Sequence, residues 1–247
     1  MHKEIKTFIY NIRYPILLLA IMWLVRLADS IWSLGFSVLG INPRVLTGLP
    51  GILTTPFIHG SWSHLASNSL PLFTLSTILV LFYKKVASQV FIFIILGSGI
   101  LIWLFARPSY HIGASGLVYG LISFIFFTGL FKKNAKSVVL SLIVLTLYAG
   151  SVESLFPNVA KNISWESHLF GAIVGLVTAF VFRNVVEADE EQYHQPPSWA
   201  NDNTEKQYFF SRDVFEKTKL QRYYEYLEAE RQRMLQAAQN QNNTLPQ

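Results

Sequence analysis

The chain contains no cysteine among its 247 residues. This absence excludes a disulfide framework, a thiolate metal site and a cysteine nucleophile. Charged residues are also scarce: they make up 14% of the chain, against roughly 25% in soluble domains. Hydrophobic residues account for 51%. A composition so poor in charge and so rich in apolar side chains predicts a membrane protein.

Acidic residues are too few to balance the basic ones, and the formal net charge is +5. A basic protein can bind nucleic acid, but here the lysines and arginines cluster in short segments between apolar runs. We therefore expect no nucleic-acid partner and interpret the basic residues as signals of membrane topology. The N-terminal segment lacks a short apolar core followed by a small-residue cleavage site, so the first apolar run is predicted to be a retained span.

Six apolar runs approach the roughly 20 residues that a helix needs to cross a bilayer. They are residues 15–35, 64–82, 89–105, 116–131, 137–156 and 167–182. Most basic residues lie before the first run and after the second, fourth and sixth, so the positive-inside rule predicts that both termini are cytoplasmic. The predicted fold is all-α, a polytopic bundle of six transmembrane helices over residues 14–186. A short cytoplasmic segment, residues 1–13, precedes it.

The composition changes after Val186, where the acidic sequence EADEE is followed by the turn-forming sequence HQPPSW. Residues 187–247 are therefore predicted to form a separate cytoplasmic tail. Within it, residues 211–236 carry apolar side chains at roughly helical spacing and are predicted to form a solvated helix. Those side chains are Phe215, Leu220, Tyr224 and Leu227. The final sequence QNQNNTLPQ is predicted to be disordered.

The predicted spans contain polar residues that a bilayer disfavours. An unsatisfied polar group at membrane depth costs on the order of a few kcal/mol, so such groups are expected to pair or to line a wet cavity. Arg26 and Asp29, three residues apart in the first run, are predicted to form an internal ion pair. The second, fourth and sixth runs descend from the same face, so their first turns lie at similar depth. Those turns hold His59, His64 and Asn68, the sequence GASG at residues 113–116, and His168.

Ser115 lies at a predicted helix start, where unpaired N–H groups and the positive end of the helix dipole favour a developing oxyanion. Gly116 begins a GxxxG step in the fourth run, and Gly171 begins another in the sixth. Small residues at this spacing let two helices approach closely. Such an approach would bring Ser115 and His168 within hydrogen-bonding distance, as proton abstraction from a serine requires.

Each of these residues also has a simpler interpretation. A serine between glycines in a membrane helix usually serves packing, and a histidine at a helix mouth usually lies at the interface. The joint placement of residue types used in acyl transfer favours a catalytic site. A metal site is the chemical rival, since His59, His64 and His168 are potential ligands. No carboxylate accompanies them at that depth, so we expect neither metal nor cofactor. His111 is an alternative base.

The arrangement resembles that of rhomboid intramembrane serine proteases. The family pattern is a histidine, a second histidine five residues later and an asparagine four after that, then GxSG opening the fourth core helix and a histidine followed by a glycine in the sixth. The resemblance covers about residues 14–183. Here the pattern consists of His59, His64 and Asn68, of residues 113–116, and of His168 with Gly171.

The resemblance implies an intramembrane serine endopeptidase that cleaves transmembrane segments of membrane proteins with a Ser-His dyad. Ser115 is implied to be the nucleophile and His168 the general base. The Ser115 backbone N–H, His64 and Asn68 are implied to form the oxyanion hole. Supporting positions are implied at Tyr119, which would hold the histidine ring, and at His59, Gly113, Gly116 and Gly171.

The implied partners are the lipid bilayer and transmembrane protein substrates, and the expected location is the plasma (inner) membrane of a bacterium. One rival function is that of a catalytically inactive rhomboid relative that binds membrane clients. Such relatives usually lack the serine or the histidine, and both are present here. A small transporter would predict broken helices or inverted repeats, which the sequence does not contain. The chain departs from the family at residues 49–52, LPGI, where many members carry Trp-Arg in the first loop.

Overall fold

The computed structural model describes residues 2–157, 164–190 and 217–242. The helices are α1 (His2–Trp32), α2 (Gly51–Thr54), α3 (Trp62–Phe82), α4 (Ala87–Phe105), α5 (Ser115–Lys132), α6 (Ala135–Tyr148), α7 (Trp165–Val181) and α8 (Lys219–Asn242). Short 3-10 helices lie at Phe36–Leu39, Leu46–Gly48, Thr55–Phe57 and Ala149–Leu155. Within the described ranges, extended pairing is limited to one antiparallel bridge between Ile41 and His111.

All six predicted apolar runs are helical, and five helical segments of the described chain are long and apolar enough to cross a membrane. These are Phe8–Trp32, Trp62–Phe82, Ala87–Phe105, Ser115–Lys132 and Ala135–Leu155. The sixth run forms α7, an apolar helix of 17 residues. A helix of that length rises about 25 Å, somewhat less than the roughly 30 Å hydrocarbon core of a bilayer. The segment predicted as separate at residues 1–13 is, from His2 onward, continuous with α1.

Helix α5 is the central helix of the bundle, and other helices of the bundle pack around it. In its most apolar window 56% of the residues are buried, against 11% for the span in α1. The main core is built from apolar side chains of α3, α4 and α5. Its fully buried members include Leu72, Leu75, Leu79, Ile94, Leu121, Phe124 and Ile125. Since α5 is surrounded by protein rather than by lipid, its first turn can carry polar groups.

Helices α5 and α7 cross through glycines that leave no room for a side chain. A Cβ atom at Gly171 would overlap the carbonyl oxygen of Gly116, and one at Gly175 would overlap that of Gly120. The Ser123 hydroxyl donates to the Ala172 carbonyl oxygen at 2.6 Å and adds a hydrogen bond to the same crossing. The close approach expected from the two GxxxG steps is therefore present, with backbone packed against backbone.

The first loop, between α1 and α3, is fastened to the connection between α4 and α5. Ile41 and His111 exchange two backbone hydrogen bonds of 3.0 and 2.9 Å. The Thr55 hydroxyl donates to the His111 carbonyl oxygen at 3.0 Å. Ile52, within the LPGI sequence, packs so closely on α4 that a Cβ at Gly99 would lie 2.5 Å from its Cγ2 atom. Backbone pairing and apolar packing thus anchor this loop, including its LPGI sequence.

The ion pair predicted within the first run is present at the end of α1. The Arg26 guanidinium lies 3.1 Å from the Asp29 carboxylate, and both side chains are largely shielded from solvent. The second Asp29 oxygen accepts from the Phe36 backbone N–H at 3.0 Å. The carboxylate therefore neutralises a buried cation and also fixes the chain as it leaves α1.

Residues 187–190, which we call the acidic segment, follow α7 and dock on the basic loops after α3 and α5. The Glu190 carboxylate lies 2.9 Å from the ammonium groups of both Lys132 and Lys136. Glu187 accepts from the Lys85 backbone N–H at 3.1 Å. Two of the basic residues interpreted as topology signals, Lys132 and Lys136, therefore also have an ion-pair partner. The compact unit that contains the bundle also includes the acidic segment. This unit therefore extends beyond the boundary predicted at residue 186.

The second compact unit of the chain contains α8. Its exposed side chains include Leu220, Tyr224 and Leu227, as expected of a solvated helix. Phe215 lies outside the described residues. The described part of the sequence QNQNNTLPQ, residues 239–242, forms the end of α8. Glutamine and asparagine can continue a helix, and the strong breaker of that sequence, Pro246, comes later.

The substitution Gly171→Ala is expected to destabilise the bundle, because the new methyl group would overlap a backbone oxygen that cannot rotate away. Overpacking of this kind typically costs about 1–3 kcal/mol. Thermal unfolding of detergent-solubilised protein measures the effect. Gly150→Ala is the matched control, since a Cβ there meets no atom within 4 Å. Equal unfolding temperatures for the two variants would contradict the proposed crossing.

The substitution Glu190→Gln is expected to lower the free energy of unfolding by about 2 kcal/mol at neutral pH, because it removes a charged partner from Lys132 and Lys136. Burial raises the pKa of Glu190, but hydrogen bonds from Lys136, the Glu187 N–H and Lys132 outweigh it and lower the pKa from 4.5 to about 2. The stabilisation is therefore complete above pH 4.5 and is lost as the pH falls through about 2.

Unfolding measured against pH tests this expectation. The difference between wild type and Glu190→Gln should shrink as the pH falls below 4.5, since both lysines stay charged and Glu187 is common to the two proteins. The exposed Glu228→Gln change in α8 serves as the control and should have no effect. A difference that stays constant down to about pH 2 would show that the charge of Glu190 does not stabilise the bundle.

Candidate active site

A cavity of about 1070 Å³ lies among the first turns of α3, α5 and α7. Its wall also includes the end of α6, the following 3-10 helix and the connection before α5. Six of the residues singled out in the sequence line it: His64, Asn68, His111, Ser115, Tyr119 and His168. Side chains drawn from three separate helices therefore share one polar chamber, as their common depth predicted.

Ser115 is the first residue of α5 and is partly buried in the cavity wall. The N–H groups of the first helical turn have no partner within a helix, so they remain available to an acceptor. The turn before the serine is fixed by two hydrogen bonds. The Gly113 N–H donates to the Thr55 carbonyl oxygen at 3.0 Å, and the Ala114 N–H donates to His59 Nε2 at 3.4 Å.

His64 lies directly against the turn that leads to the serine. Gly113 has a φ of 106°, which side chains rarely adopt, and a Cβ there would lie 2.6 Å from the His64 ring. Glycine is thus required both for the backbone conformation and for the place of the imidazole. One turn along α3, the Asn68 amide donates to the His64 carbonyl oxygen at 2.9 Å, which orients the asparagine side chain beside the cavity.

His59 is placed behind the cavity rather than in its lining. Its side chain is 2% exposed, and its ring meets that of His64 edge to face with 5.0 Å between the centroids. Burial, with the neighbouring His64 ring contributing, lowers the pKa of His59 to about 4. The ring is therefore neutral at pH 7, and a neutral Nε2 can accept from Ala114. This geometry favours the structural interpretation of His59.

His168 lies in the first turn of α7 and is held on its face and on its edge. The Tyr119 ring stacks on the imidazole, with 4.3 Å between the centroids and 14° between the planes. His168 Nδ1 lies 3.0 Å from the carbonyl oxygen of Ser154, in the 3-10 helix after α6. Contacts from two neighbours therefore restrict the rotation of a ring that is only 8% exposed.

His111, considered as an alternative base, is engaged at both ring nitrogens. Its Nδ1 atom lies 2.6 Å from the Ser164 hydroxyl, and its Nε2 atom lies 3.0 Å from the Arg107 carbonyl oxygen. Burial lowers the pKa of His111, with smaller opposing contributions from its polar neighbours. Although the residue lines the cavity, these bonds occupy its ring, and they favour a structural role.

Several residues of the site escaped the sequence analysis. Arg107 and the buried Glu166 form an ion pair of 3.4 Å across the cavity rim. A carboxylate two residues before His168, immediately before the sixth apolar run, was a signal that could have been used. Ser151 and Ser154 gave no such signal. Their stretch was predicted as transmembrane helix, and only the change from α to 3-10 geometry after Tyr148 brings them to the cavity.

Metal binding was weighed for His59, His64 and His168. Within the ranges that the structure describes, no three histidine, aspartate or glutamate side chains are grouped so that they could hold a metal ion. His64 and His168 line the cavity, whereas His59 does not. The three imidazoles therefore do not converge on one point.

Five helical segments of spanning length, together with a polar cavity among the first turns of α3, α5 and α7, define an integral membrane protein with a candidate site. Residues 47–185, more than half of the chain, match the Rhomboid domain family. The chain therefore belongs to the rhomboid family.

Known relatives are similar over most of the bundle. An uncharacterized protein of Mycobacterium tuberculosis is 34% identical over 172 residues, covering 66% of this chain and 71% of that protein. An uncharacterized protein of Mycobacterium leprae is 31% identical over 175 residues, covering 66% and 68%. A Bacillus subtilis protein named "Putative rhomboid protease YdcA" is 30% identical over 193 residues, covering 73% and 93%.

Proposed function

We propose that the protein is an intramembrane serine endopeptidase that cleaves transmembrane segments of other membrane proteins. The observation that carries this proposal is the shared cavity, whose lining includes Ser115 at a helix start, the clamped His168, His64 and Asn68. The α5–α7 crossing supports it, because the glycines that join these helices lie next to both residues.

In the proposed reaction, His168 Nε2 takes the hydroxyl proton of Ser115 as the serine oxygen bonds to the substrate carbonyl carbon. The peptide C–N bond then breaks, and the leaving amine receives that proton from His168. Water next attacks the ester, gives a proton to His168 and releases the carboxylic acid, while the serine recovers its proton. No group outside the chain is needed except water, which a polar cavity of this volume can admit.

Three groups are proposed to stabilise the oxyanion. The Ser115 N–H belongs to the first turn of α5, where it has no helical partner. Asn68 carries two amide N–H donors, of which one is used by the His64 carbonyl oxygen. The His64 ring is the third donor, held by the turn at Gly113. Losing one such donor costs about 3 kcal/mol of transition-state stabilisation in serine hydrolases.

The proposed topology has six spans, with α7 as the sixth and both termini in the cytoplasm of a bacterium. α7 is shorter than the other spans, but a helix that packs on protein neighbours tolerates a short length better than one surrounded by lipid. The lysine-bearing loops after α3 and α5 support the orientation, since short loops rich in lysine stay on the cytoplasmic side. The acidic segment contacts both loops and so lies on that side too.

Cleavage of a tagged single-span substrate by purified protein in liposomes tests the proposal. Ser115→Ala and His168→Ala are each expected to lower the rate by at least about 10³-fold, because the pair acts as one unit. A fluorophosphonate probe should label wild type and fail to label Ser115→Ala. The exposed Ser88→Ala change at the start of α4 is the matched control and should leave both signals unchanged.

A chelator should have no effect on cleavage. Inhibition by the chelator would point to a metal-dependent reaction instead. If no substrate of a broad panel is cut and the probe leaves wild type unlabelled, the proposal fails, and the binding of membrane clients by an inactive relative becomes the better account.

A further inference from the structure

We infer that the 3-10 helix Ala149–Leu155 positions the base, with Ser154 as its central residue. This inference rests on the proposed protease function and adds a residue that the sequence pattern does not contain. It concerns the Nδ1 edge of His168, where a third member stands in a catalytic triad.

The Ser154 carbonyl oxygen determines which nitrogen of His168 carries the proton. A carbonyl oxygen can only accept, so the 3.0 Å contact requires a hydrogen on His168 Nδ1. In the neutral ring the other nitrogen, Nε2, then has a free lone pair, as a general base for the serine requires. A backbone oxygen thus performs the tautomer selection that a carboxylate performs in the Ser-His-Asp arrangement.

The position of the Ser154 carbonyl group depends on the Ser154 hydroxyl. The Ser154 hydroxyl lies 2.7 Å from the Ser151 carbonyl oxygen. The Tyr119 hydroxyl also donates to the Ser151 carbonyl oxygen, at 3.0 Å, and contacts the Ser154 hydroxyl. Tyr119 and Ser154 are therefore tied together, and between them they hold the His168 ring by stacking and by a hydrogen bond.

The 3-10 helix has one side toward the cavity and one side away from it. Ser151 and Ser154 line the cavity, whereas Val152 and Glu153 are exposed. Removing the helix from the cavity wall would withdraw the acceptor from His168 Nδ1 and release the Tyr119 hydroxyl at the same time. The base is therefore correctly protonated and oriented only while this 3-10 helix stays docked.

The substitution Ser154→Ala tests the inference, because it keeps the backbone but removes the hydroxyl that fixes it. We expect kcat for cleavage in liposomes, and the rate of fluorophosphonate labelling of Ser115, to fall about tenfold with KM unchanged, the effect of losing one orienting hydrogen bond. Ser154→Thr keeps the hydroxyl and should restore most of both rates. Tyr119→Phe keeps the stacked ring, breaks the same tie, and should add little when combined with Ser154→Ala.

A spectroscopic measurement follows the tautomer directly. In protein labelled with 15N at histidine, the His168 signals, assigned from their loss in His168→Gln, should show hydrogen on Nδ1 in wild type. They should show a mixture of the two neutral tautomers in Ser154→Ala. Val152→Ala, an exposed change in the same 3-10 helix, is the matched control and should leave the spectrum and both rates unchanged.

The outcomes separate this inference from the proposed function. If wild type neither cleaves nor reacts with the probe, the protease function itself fails. If wild type is active while Ser154→Ala keeps its rates and its tautomer, the function stands and the positioning role is overturned. Equal losses in Ser154→Ala and Ser154→Thr would also overturn it, because threonine retains the hydroxyl on which the argument depends.

Discussion

The contact between α5 and α7 is the interaction on which the candidate site depends. At Gly116, Gly120, Gly171 and Gly175 the backbone of each helix touches the other, so the helix axes approach as closely as their geometry permits. Ser115 begins one helix and His168 lies in the first turn of the other. A bulkier crossing would separate the two side chains, whatever the loops around them did. Close packing here sets the geometry of the site.

The polar groups of the bundle fall into two classes that differ in how they are satisfied. In the first class, buried serines and threonines donate to carbonyl oxygens of their own helix, as Ser76, Ser98, Thr128 and Thr178 do. These residues need no water and no partner from another helix, so the apolar core tolerates them. The polar groups of the cavity, in contrast, come from different helices and from the loops between them. Their bonds join separate parts of the chain, which makes the site a cooperative unit.

The helical plan could be predicted from the sequence because apolar composition over about 20 residues is a local property. The helix starts at Trp62, Ala87, Ser115 and Ala135 lie within two residues of the predicted ones. Four of the residues that line the cavity, namely His64, Asn68, Ser115 and His168, could be grouped by the common depth of those starts. A family resemblance then assigned roles to them.

The remaining features depend on three-dimensional contacts that no short stretch of the sequence indicates. The change to a 3-10 helix after Tyr148 keeps the apolar pattern of a span, so the place of Ser154 beside His168 was hidden. His111 fastens the first loop through its backbone hydrogen bonds, and its buried ring makes a further contact. Neither contact can be predicted from a single histidine in a loop. Glu190 was assigned to the tail by composition, because its lysine partners are distant in sequence.

The acidic segment has a consequence for the order in which the molecule is completed. Glu187 contacts Lys85, which lies 102 residues earlier in the chain, and Glu190 contacts Lys132, which lies 58 residues earlier. During synthesis both basic loops are therefore made well before their acidic partners. The contacts that fasten the end of α7 to these loops can form only after α7 itself has been made, so they belong to a late step of biogenesis.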